Sequence, residues 1–340
     1  MKGSVPERPE AGNGLRAAPG GNGSPTQRAS RHPMQRKQAT IAARRYFLDG
    51  RTVKEIGSEL GISRFKAARL LEWARAEGLV RIEIVSAAES DVELSERIRV
   101  TFGLRDAVVV AGLDGPSEAI APELAEVAAN VVAEVVKPSD VVGISWGHTL
   151  DLVVEKMVEF NAKRIVQLVG GQATLESASG GIEVVRRLAA KGRATGYPLL
   201  APVRLREPAA ADALRRDPVV AETLELINEV NVVLAGVGSW GEPPVSRMIE
   251  CFNEEEVLAL RQQGVVADLC GFLFDGSGRL PGSLDSQRIG ISLAQLDAAG
   301  TVLVVCGGSE KRNALNAVLR SGLVDIVVTD AGSAAGLLRA

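Results

Sequence analysis

From residue 96 onwards, short β-branched runs alternate with stretches of helical periodicity, and this alternation limits the chain to few folds. The apolar runs span residues 107–111, 141–145, 164–169, 232–236, 266–274, 301–306 and 325–329. The helical patterns between them lie near 117–136, 147–160, 180–192, 218–229, 253–263, 292–299 and 309–321. Continuously apolar strands that alternate with helices indicate a parallel sheet covered on both faces. The sequence therefore predicts a doubly wound α/β domain over residues 96–340.

A different pattern occupies residues 52–77, where two short helices are predicted on either side of a tight turn. Thr52 followed by Glu55 forms a capping box that can start the first helix. Gly61 supplies the turn, and Ser63 can cap the second helix. The apolar side of the second helix consists of Ala67, Leu70, Leu71 and Ala74. This arrangement is typical of a helix-turn-helix motif.

The outer side of the second helix is basic near its N-terminus, where helix-turn-helix proteins place the side chains that reach base edges. The pattern therefore predicts binding to duplex DNA. The alternative is a solvated basic face on an ordinary helical hairpin. The candidate DNA-binding residues are Arg51, Lys54, Ser63, Arg64, Phe65, Lys66 and Arg69.

The chain divides into segments of different composition. Residues 1–33 are rich in Gly, Pro, Ser, Asn and Arg and contain almost no large apolar side chains, so we expect a disordered tail. Residues 34–85 form a compact winged-helix-like module that ends in a strand or wing over 79–85. Residues 86–95 are predicted to be a linker. Residues 96–340 form the larger domain.

Charge follows the same division. Residues 1–85 carry 16 Lys and Arg against 8 Asp and Glu, whereas the remainder carries 23 against 34. A basic end on an acidic body suggests that one part meets a polyanion and the other does not. Counting only residues 34–85 leaves 11 basic against 6 acidic side chains, so the excess does not depend on the tail.

Several classes of protein are not expected. The three cysteines are widely spaced in apolar segments, which favours reduced thiols in a cytosolic protein over a disulfide framework. The sequence has two histidines and no Cys-x-x-Cys, so a zinc site is not predicted. There is no apolar run of membrane-spanning length and no signal peptide, and we expect a cytoplasmic protein.

Four of the predicted strands end in turns rich in glycine and small polar residues. In open α/β sheets, ligands bind beyond the carboxyl ends of the strands. Freed backbone N–H groups and hydroxyls there would suit an anion or the hydroxyls of a sugar. The alternative is tight turns with close packing. GxxxxGK[ST] does not occur, and no NAD, ATP or other cofactor is predicted. The four turns are Gly143-Ile-Ser-Trp-Gly-His-Thr149, Val169-Gly-Gly-Gln-Ala-Thr174, Gly236-Val-Gly-Ser-Trp-Gly241 and Gly307-Gly-Ser-Glu-Lys311.

Individual side chains in these turns have ordinary alternatives. His148 could bind a ligand or simply lie at a helix start. Asp268 is a charge in an apolar strand and should accept hydrogen bonds from a ligand hydroxyl or a nearby N–H. Trp146 and Trp240 could line a pocket or belong to the core. Lys311 could meet a ligand charge or lie at the surface.

Taken together, the chain resembles the SorC/DeoR-type sugar-binding transcriptional regulators of bacteria. The resemblance covers about residues 34–340. It rests on the segments EIGSELGISRFKAARLLEWARAEGLVRI, DVVGISWGHTL, VQLVGG, ADLCG, CGGSEKRNAL and GLVDIVVTD, in this order. It implies an effector domain with the fold of glucosamine-6-phosphate deaminase and ribose-5-phosphate isomerase. It also implies a sugar, polyol or sugar-phosphate effector and a dimer or tetramer.

Mapped onto this sequence, the resemblance implies four groups of effector contacts. These contacts fall on Gly143, Ser145, Gly147 and Thr149 in the first loop, Gly170, Gly171 and Gln172 in the second, Asp268 in its strand, and Gly307, Gly308 and Lys311 in the last loop. The composition of the turns adds Trp146, His148 and Gly238 as candidate effector-binding residues. His148 departs from the family pattern. Arginine is also scarce around the first two loops, which leaves a free sugar or polyol as an alternative to a phosphorylated ligand.

The leading hypothesis is a transcriptional regulator whose affinity for a DNA operator is controlled by this effector. The rival is an enzyme, a sugar-phosphate isomerase or deaminase with a basic appendage, because fold does not settle function. Such an enzyme needs a positioned acid and base, and the candidates are Asp268, Glu310 and His148. No paired arrangement of these residues is evident in the sequence, and we predict no catalytic residues.

Overall fold

The chain divides into two compact units, Met1–Val85 and Ser86–Ala340. The computed structural model describes residues 33–80, 90–158, 160–172, 181–281 and 284–339. The tail predicted for residues 1–33 lies outside the described residues except for Pro33. The same is true of the wing predicted for 79–85, apart from its first two residues. No helix among the described residues is long and apolar enough to cross a bilayer.

The smaller unit is built from three helices around an apolar core. Their bounds are α1 Pro33–Phe47, α2 Val53–Glu59 and α3 Arg64–Ala76. Ala42 of α1, Ile56 of α2, and Leu70 and Ala74 of α3 are buried together. These positions recur at helical spacing, so each helix turns one apolar face to the common core and leaves its charged face in solvent. The two predicted helices of residues 52–77 are confirmed.

The larger unit is an α/β fold with a parallel sheet, as predicted. Its strands are β1 Asp106–Val110, β2 Val141–Ile144, β3 Arg164–Gln167, β4 Thr195–Tyr197, β5 Val232–Ser239, β6 Val265–Leu269, β7 Phe272–Asp275, β8 Thr301–Val305 and β9 Ile326–Asp330. Its helices are α4 Val92–Phe102, α5 Ser117–Val135, α6 His148–Lys156, α7 Gly181–Gly192, α8 Pro208–Arg215, α9 Pro218–Leu226, α10 Glu254–Gln262, α11 Leu293–Asp297, α12 Arg312–Arg320 and α13 Ala331–Leu337.

The parallel strands lie in the order β1-β9-β8-β5-β2-β3-β4. Both faces of this sheet are covered. Along β5, Val233 and Ala235 belong to one apolar cluster, whereas Val232 and Leu234 belong to another on the opposite face. Successive side chains of a strand point to opposite faces, which explains why these strands are apolar without interruption. The chain order of the strands reverses between β2 and β5, and such a switch point leaves a crevice at the carboxyl ends.

The structure corrects two details of the predicted strand pattern. Residues 266–274 form an antiparallel hairpin of β6 and β7 instead of one strand, and β6 pairs with the end of β5. Both turn residues of this hairpin have positive φ, +50° at Cys270 and +77° at Gly271. A two-residue hairpin turn of this kind needs that backbone. The short strand β4 was not predicted.

The predicted linker 86–95 is also corrected. Ser90 forms a bridge to Val110 at the end of β1, and α4 begins at Val92. Asp91 caps this helix by accepting a hydrogen bond from the backbone N–H of Leu94, at 2.9 Å. Residues 90–95 therefore belong to the fold of the larger unit, and only 86–89 lie outside the described residues.

Candidate functional site

A cavity of about 310 Å³ lies at the carboxyl ends of β2 and β5, at the switch point of the sheet. Several separate stretches of the chain contribute to it: the turn between β2 and α6, the end of β5, the segment 244–250, the turn between β6 and β7, and the loop after β8. The cavity is lined by Ser145, Trp146, Gly147, His148, Thr149, Leu150, Val169, Gly236, Val237, Gly238, Pro244, Val245, Ser246, Arg247, Met248, Glu250, Asp268, Cys270, Gly271 and Lys311.

The first loop brings the start of α6 to the cavity. Gly147 precedes the helix with a φ of +149°, a backbone conformation that favours glycine. The first intrahelical bond runs from the N–H of Asp151 to the carbonyl of Gly147. The N–H groups of His148 and Thr149 therefore have no intrahelical acceptor, as expected in a first turn. Partial positive charge at a helix start favours an anion or the oxygen of a hydroxyl.

Asp268 provides an acidic group of the cavity. Its Oδ1 accepts hydrogen bonds from Trp240 Nε1, at 2.9 Å, and from the hydroxyl of Ser246. No hydrogen bond among the described residues uses its Oδ2. Burial raises the pKa of Asp268, although hydrogen bonds from Ser246 and Trp240 and the charge of Lys311 act in the opposite direction. Trp240 is itself buried in the core, so it holds the carboxylate from behind and does not line the cavity.

Gly238 makes room for this carboxylate. It lies opposite Asp268 in the pairing of β5 with β6. A Cβ atom at position 238 would stand 2.1 Å from Asp268 Oδ1 and 2.6 Å from the Ser246 hydroxyl. Any side chain here would displace the carboxylate, so the missing Cβ is what permits the arrangement.

Lys311 provides a buried positive group. Its side chain lines the cavity and only 9% of the residue surface is exposed. Among the described residues, no hydrogen bond and no carboxylate within 4.0 Å engages its ammonium group. Burial of a charge without a partner is costly. An incoming acceptor or anion would therefore gain a strong charge-assisted bond here.

Neighbouring contacts fix the backbone of this lysine. The carboxylate of Glu310 turns away from the cavity and accepts hydrogen bonds from the N–H and hydroxyl of Ser117, where α5 begins. The carbonyl of Glu310 accepts a hydrogen bond from the Ser239 hydroxyl, at 2.9 Å. Glu310 thus joins α5 to β5, while Lys311, the next residue, lines the cavity.

Six predicted effector residues do not line the cavity. Gly143 lies inside β2, where a Cβ would meet Leu168 at 2.4 Å, so its role is core packing. Gly170 accepts a hydrogen bond from Trp146 Nε1, at 2.9 Å, and so orients a cavity residue. The other four serve local packing or bonding: Gly171 pairs with Ala201 and Val203, Gln172 donates to the carbonyl of Arg247, Gly307 packs against Asp330, and Gly308 donates to Asp330.

The structure also places residues in the cavity that sequence patterns did not indicate. Ser246, Arg247 and Glu250 come from the segment 244–250, which has neither a Gly-rich turn nor helical periodicity. Cys270 comes from the turn of the hairpin that was predicted as one strand. Burial raises the pKa of Cys270 to about 12, so its thiol stays protonated at neutral pH. Of the hairpin residues, the sequence pattern indicated only Asp268, because its charge interrupts an apolar run.

In the smaller unit, the predicted local signals are present. The capping box of Thr52 and Glu55 forms at the start of α2, and Ser63 accepts a hydrogen bond from the N–H of Lys66, at 3.2 Å. Gly61 has a φ of +64° in the turn. The predicted DNA-contacting side chains are all exposed: Arg51, Lys54, Ser63, Arg64, Phe65, Lys66 and Arg69. Arg64, Lys66 and Arg69 are therefore exposed cations on the first two turns of α3.

Comparison with known proteins agrees with this architecture. The Sugar-bind family model, described as a sugar-binding domain, matches residues 86–339. The deoxyribonucleoside regulator of Bacillus subtilis is 27% identical over 308 residues, which cover 89% of this chain and 98% of that relative.

Solved structures give the same result. The full-length sorbitol operon regulator SorC from Klebsiella pneumoniae superposes with a TM-score of 0.69 at 24% identity, covering 89% of this chain and 98% of that one. A DeoR family transcriptional regulator from Listeria monocytogenes superposes with a TM-score of 0.65 at 27% identity, covering 72% of this chain and 98% of that one. The chain therefore belongs to the Sugar-bind family, among the SorC/DeoR-type sugar-binding transcriptional regulators.

Proposed function

We propose that this chain is a DNA-binding transcriptional regulator whose affinity for its operator is set by a sugar, polyol or sugar phosphate bound in the cavity. The observation that carries the proposal is Lys311, a buried cation that forms no salt bridge among the described residues and faces a cavity at the switch point of a parallel sheet. The family description, a sugar-binding domain, points to the same class of ligand.

The chemistry of the cavity suits a polyhydroxylated ligand with a polar or anionic head. Lys311 and the first-turn N–H groups of α6 would meet the oxygens of the head. The Oδ2 of Asp268 accepts no hydrogen bond from the described part of the chain and would accept one from a ligand hydroxyl. We further propose Ser145, Trp146, Gly147, His148 and Thr149 as contacts on the α6 side of the ligand.

The exposed cations of α2 and α3 supply the proposed interface with duplex DNA. In the helix-turn-helix arrangement, α3 would enter the major groove, and Arg64, Lys66 and Arg69 would contact bases or phosphates. Arg51 and Lys54 would contact backbone phosphates. Two copies of the chain, in a dimer or tetramer, would present two such helices to the half-sites of a pseudo-palindromic operator. An effector would shift operator affinity by its differential binding to two subunit arrangements, typically ~1–3 kcal/mol.

The rival enzyme hypothesis finds little support in the cavity. The larger unit would share its fold with glucosamine-6-phosphate deaminase and ribose-5-phosphate isomerase, as the resemblance implies. However, the Glu310 carboxylate is bonded to Ser117 and turned away from the cavity. Burial acts to raise the pKa of Glu310, but hydrogen bonds from Ser117 lower it overall, which makes it a poor general acid. Among the described residues, Asp268 has two hydrogen-bond donors on one oxygen and forms no hydrogen bond with another acidic or basic side chain.

A mobility-shift assay tests the proposal directly. Duplexes that the purified full-length chain selects from a random pool at low salt serve as probes. We expect Arg64→Ala to weaken specific binding by ~1–3 kcal/mol if Arg64 contacts a base. Arg75→Ala is a matched control, because Arg75 is an exposed arginine at the other end of α3. Equal affinity of wild type and Arg64→Ala would remove Arg64 from the interface.

Effector binding is tested by a thermal-shift screen of sugars, polyols and their phosphates. A ligand at 100 times its Kd should stabilise the folded chain by ~2.7 kcal/mol. The same compound should change the mobility shift, while compounds without thermal effect should not. A chain that retained no duplex, with or without these compounds, would refute the proposed function. Turnover of pentose or hexose phosphates would favour the enzyme instead.

A further inference from the structure

Phe65 is an exposed aromatic side chain on the first turn of α3. It is the second residue of the helix, and 66% of its surface is accessible to solvent. It takes no part in the apolar core that α1, α2 and α3 share. Its one ring contact among the described residues is with Arg64, whose guanidinium carbon lies 4.8 Å from the ring centroid. Folding of the smaller unit therefore does not explain why this position carries a phenylalanine.

The surroundings of Phe65 limit what its ring can meet. Arg64, Lys66 and Arg69 are exposed around it, and Ser63 caps the helix immediately before it. An apolar protein partner that covered the ring would also have to bury these cations without counter-charges, which is costly. A polyanion satisfies the cations, and duplex DNA offers an apolar group in its major groove, the C5 methyl of thymine.

The contact with Arg64 also restricts the ring. A guanidinium stacked on an aromatic face is attracted by the ring electrons, so the ring loses less side-chain freedom on binding. The Ser63 cap fixes the first turn of the helix, so the backbone of Phe65 is ordered before any ligand arrives. Phe65 is thus an exposed apolar side chain beside cations. It lies at the helix end that reaches base edges in helix-turn-helix proteins.

We propose that Phe65 is a specificity residue that recognises the C5 methyl group of a thymine in the operator. This inference rests on the proposed DNA-binding function. Arg64, Lys66 and Arg69 provide attraction to the duplex, and Phe65 adds discrimination at one base pair. Direct readout of this kind separates a T·A pair from a C·G pair and also from a U·A pair, which differs from T·A only by the methyl group.

The test removes the methyl group alone. Duplexes selected by the wild-type chain are resynthesised with deoxyuridine in place of each thymine in turn, and affinities are measured by mobility shift. A single substitution in one half-site should weaken wild-type binding about fourfold, which corresponds to ~0.8 kcal/mol for one buried methyl group. Phe65→Ala should bind the thymine and uracil duplexes equally, with the affinity of the wild type for the uracil duplex or lower.

Two further variants complete the experiment. Phe65→Leu keeps an apolar side chain and should retain part of the preference for thymine, whereas Arg75→Ala should retain all of it. Circular dichroism of Phe65→Ala should match the wild type, because the ring lies outside the core. Its loss of discrimination therefore reports on recognition and not on folding.

The outcomes separate this inference from the proposed function. If the wild type binds every uracil duplex as tightly as its thymine parent, the role of Phe65 is wrong while DNA binding stands. A Phe65→Ala chain that still prefers thymine at the same position would also refute it. If the wild type retains no duplex at all, the proposed function fails first.

Discussion

The two units of the chain carry positive charge in opposite surroundings. In the smaller unit, Arg64, Lys66 and Arg69 are exposed on the first two turns of α3. In the larger unit, Lys311 is buried at the wall of a cavity and has no ionic partner among the described residues. Exposed charges attract a large polyanion through many weak and screened contacts, whereas a buried charge binds one small ligand strongly. The burial of the cations therefore distinguishes the proposed effector site from the proposed DNA interface. Net charge alone does not distinguish them.

The salt concentration should affect DNA affinity and effector affinity to very different extents. A dimer that placed Arg51, Lys54, Arg64, Lys66 and Arg69 of each copy near phosphates would lose about a thousandfold or more in DNA affinity between 50 and 200 mM salt. Effector affinity should change far less, because Lys311 is shielded from ions in solution. Mobility shifts and calorimetric titration over the same salt series check both halves. Equal salt slopes for the two ligands would contradict the contrast.

Removal of the buried charge of Lys311 should have the next largest effect, a loss of ligand binding. Lys311→Met should abolish the ligand-induced thermal stabilisation, which amounts to ~2.7 kcal/mol for the wild type at 100 times its Kd. The ligand-free variant should be as stable as the wild type or more so, because an unpaired buried charge is lost. Thermal unfolding with and without ligand checks this, and Lys137→Met, at an exposed lysine, is the control. Full stabilisation of Lys311→Met by ligand would place the site elsewhere.

Gly238→Ala tests the position of the Asp268 carboxylate in the cavity. The new Cβ would overlap Asp268 Oδ1, so the carboxylate and the Ser246 hydroxyl must shift, at a cost of ~1–3 kcal/mol in stability and a weaker effector affinity. DNA binding without effector should be unaffected. Gly276→Ala is the matched control, because a Cβ there meets nothing within 4 Å. Chemical denaturation and ligand titration measure the two effects, and identical behaviour of the two variants would refute the steric argument.

The smallest expected effect concerns a carboxylate outside the cavity. Hydrogen bonds from Arg204 hold the pKa of Glu256 down at about 2, against 4.5 as its ordinary value. A depressed folded-state pKa contributes stability that is present above about pH 4.5 and lost as pH falls towards 2. Because Glu256 is partly exposed, we expect ~1 kcal/mol. The stability difference between wild type and Glu256→Gln should shrink over that window in thermal unfolding, and a constant difference would contradict it.

Local signals in the sequence were sufficient for much of the fold. The capping box of Thr52, the Ser63 cap and the Gly61 turn depend on neighbours within a few residues, and all three are present. The parallel core strands were found because burial on both faces leaves an unbroken apolar run. By contrast, β4 consists of Thr195, Gly196 and Tyr197 and carries no such run.

The missed elements depended on contacts between distant segments. α13 reads Ala-Gly-Ser-Ala-Ala-Gly-Leu, which has no charged face to reveal a helical period. The hairpin of β6 and β7 turns at Cys270, where a non-glycine residue has positive φ, and no turn signal precedes it. In the cavity, the sequence indicated Asp268 as a charge in an apolar run and Lys311 as the end of a Gly-rich turn. Ser246 and Glu250 did not, because only the folding of the segment 244–250 over the end of β5 brings them there.

The position of this segment has a consequence for how ligand preference changes in the course of evolution. Residues 244–250 supply a quarter or more of the cavity lining but contribute no strand to the parallel sheet. Ser246, Arg247 and Glu250 also lie outside the apolar core clusters. Substitutions at Arg247 and Glu250 are therefore expected to alter the preference of the proposed effector site without unpacking the domain, whereas Ser246 also holds the Asp268 carboxylate. The positions on β5 and β6, by contrast, must satisfy the sheet and the ligand together and are expected to diverge more slowly.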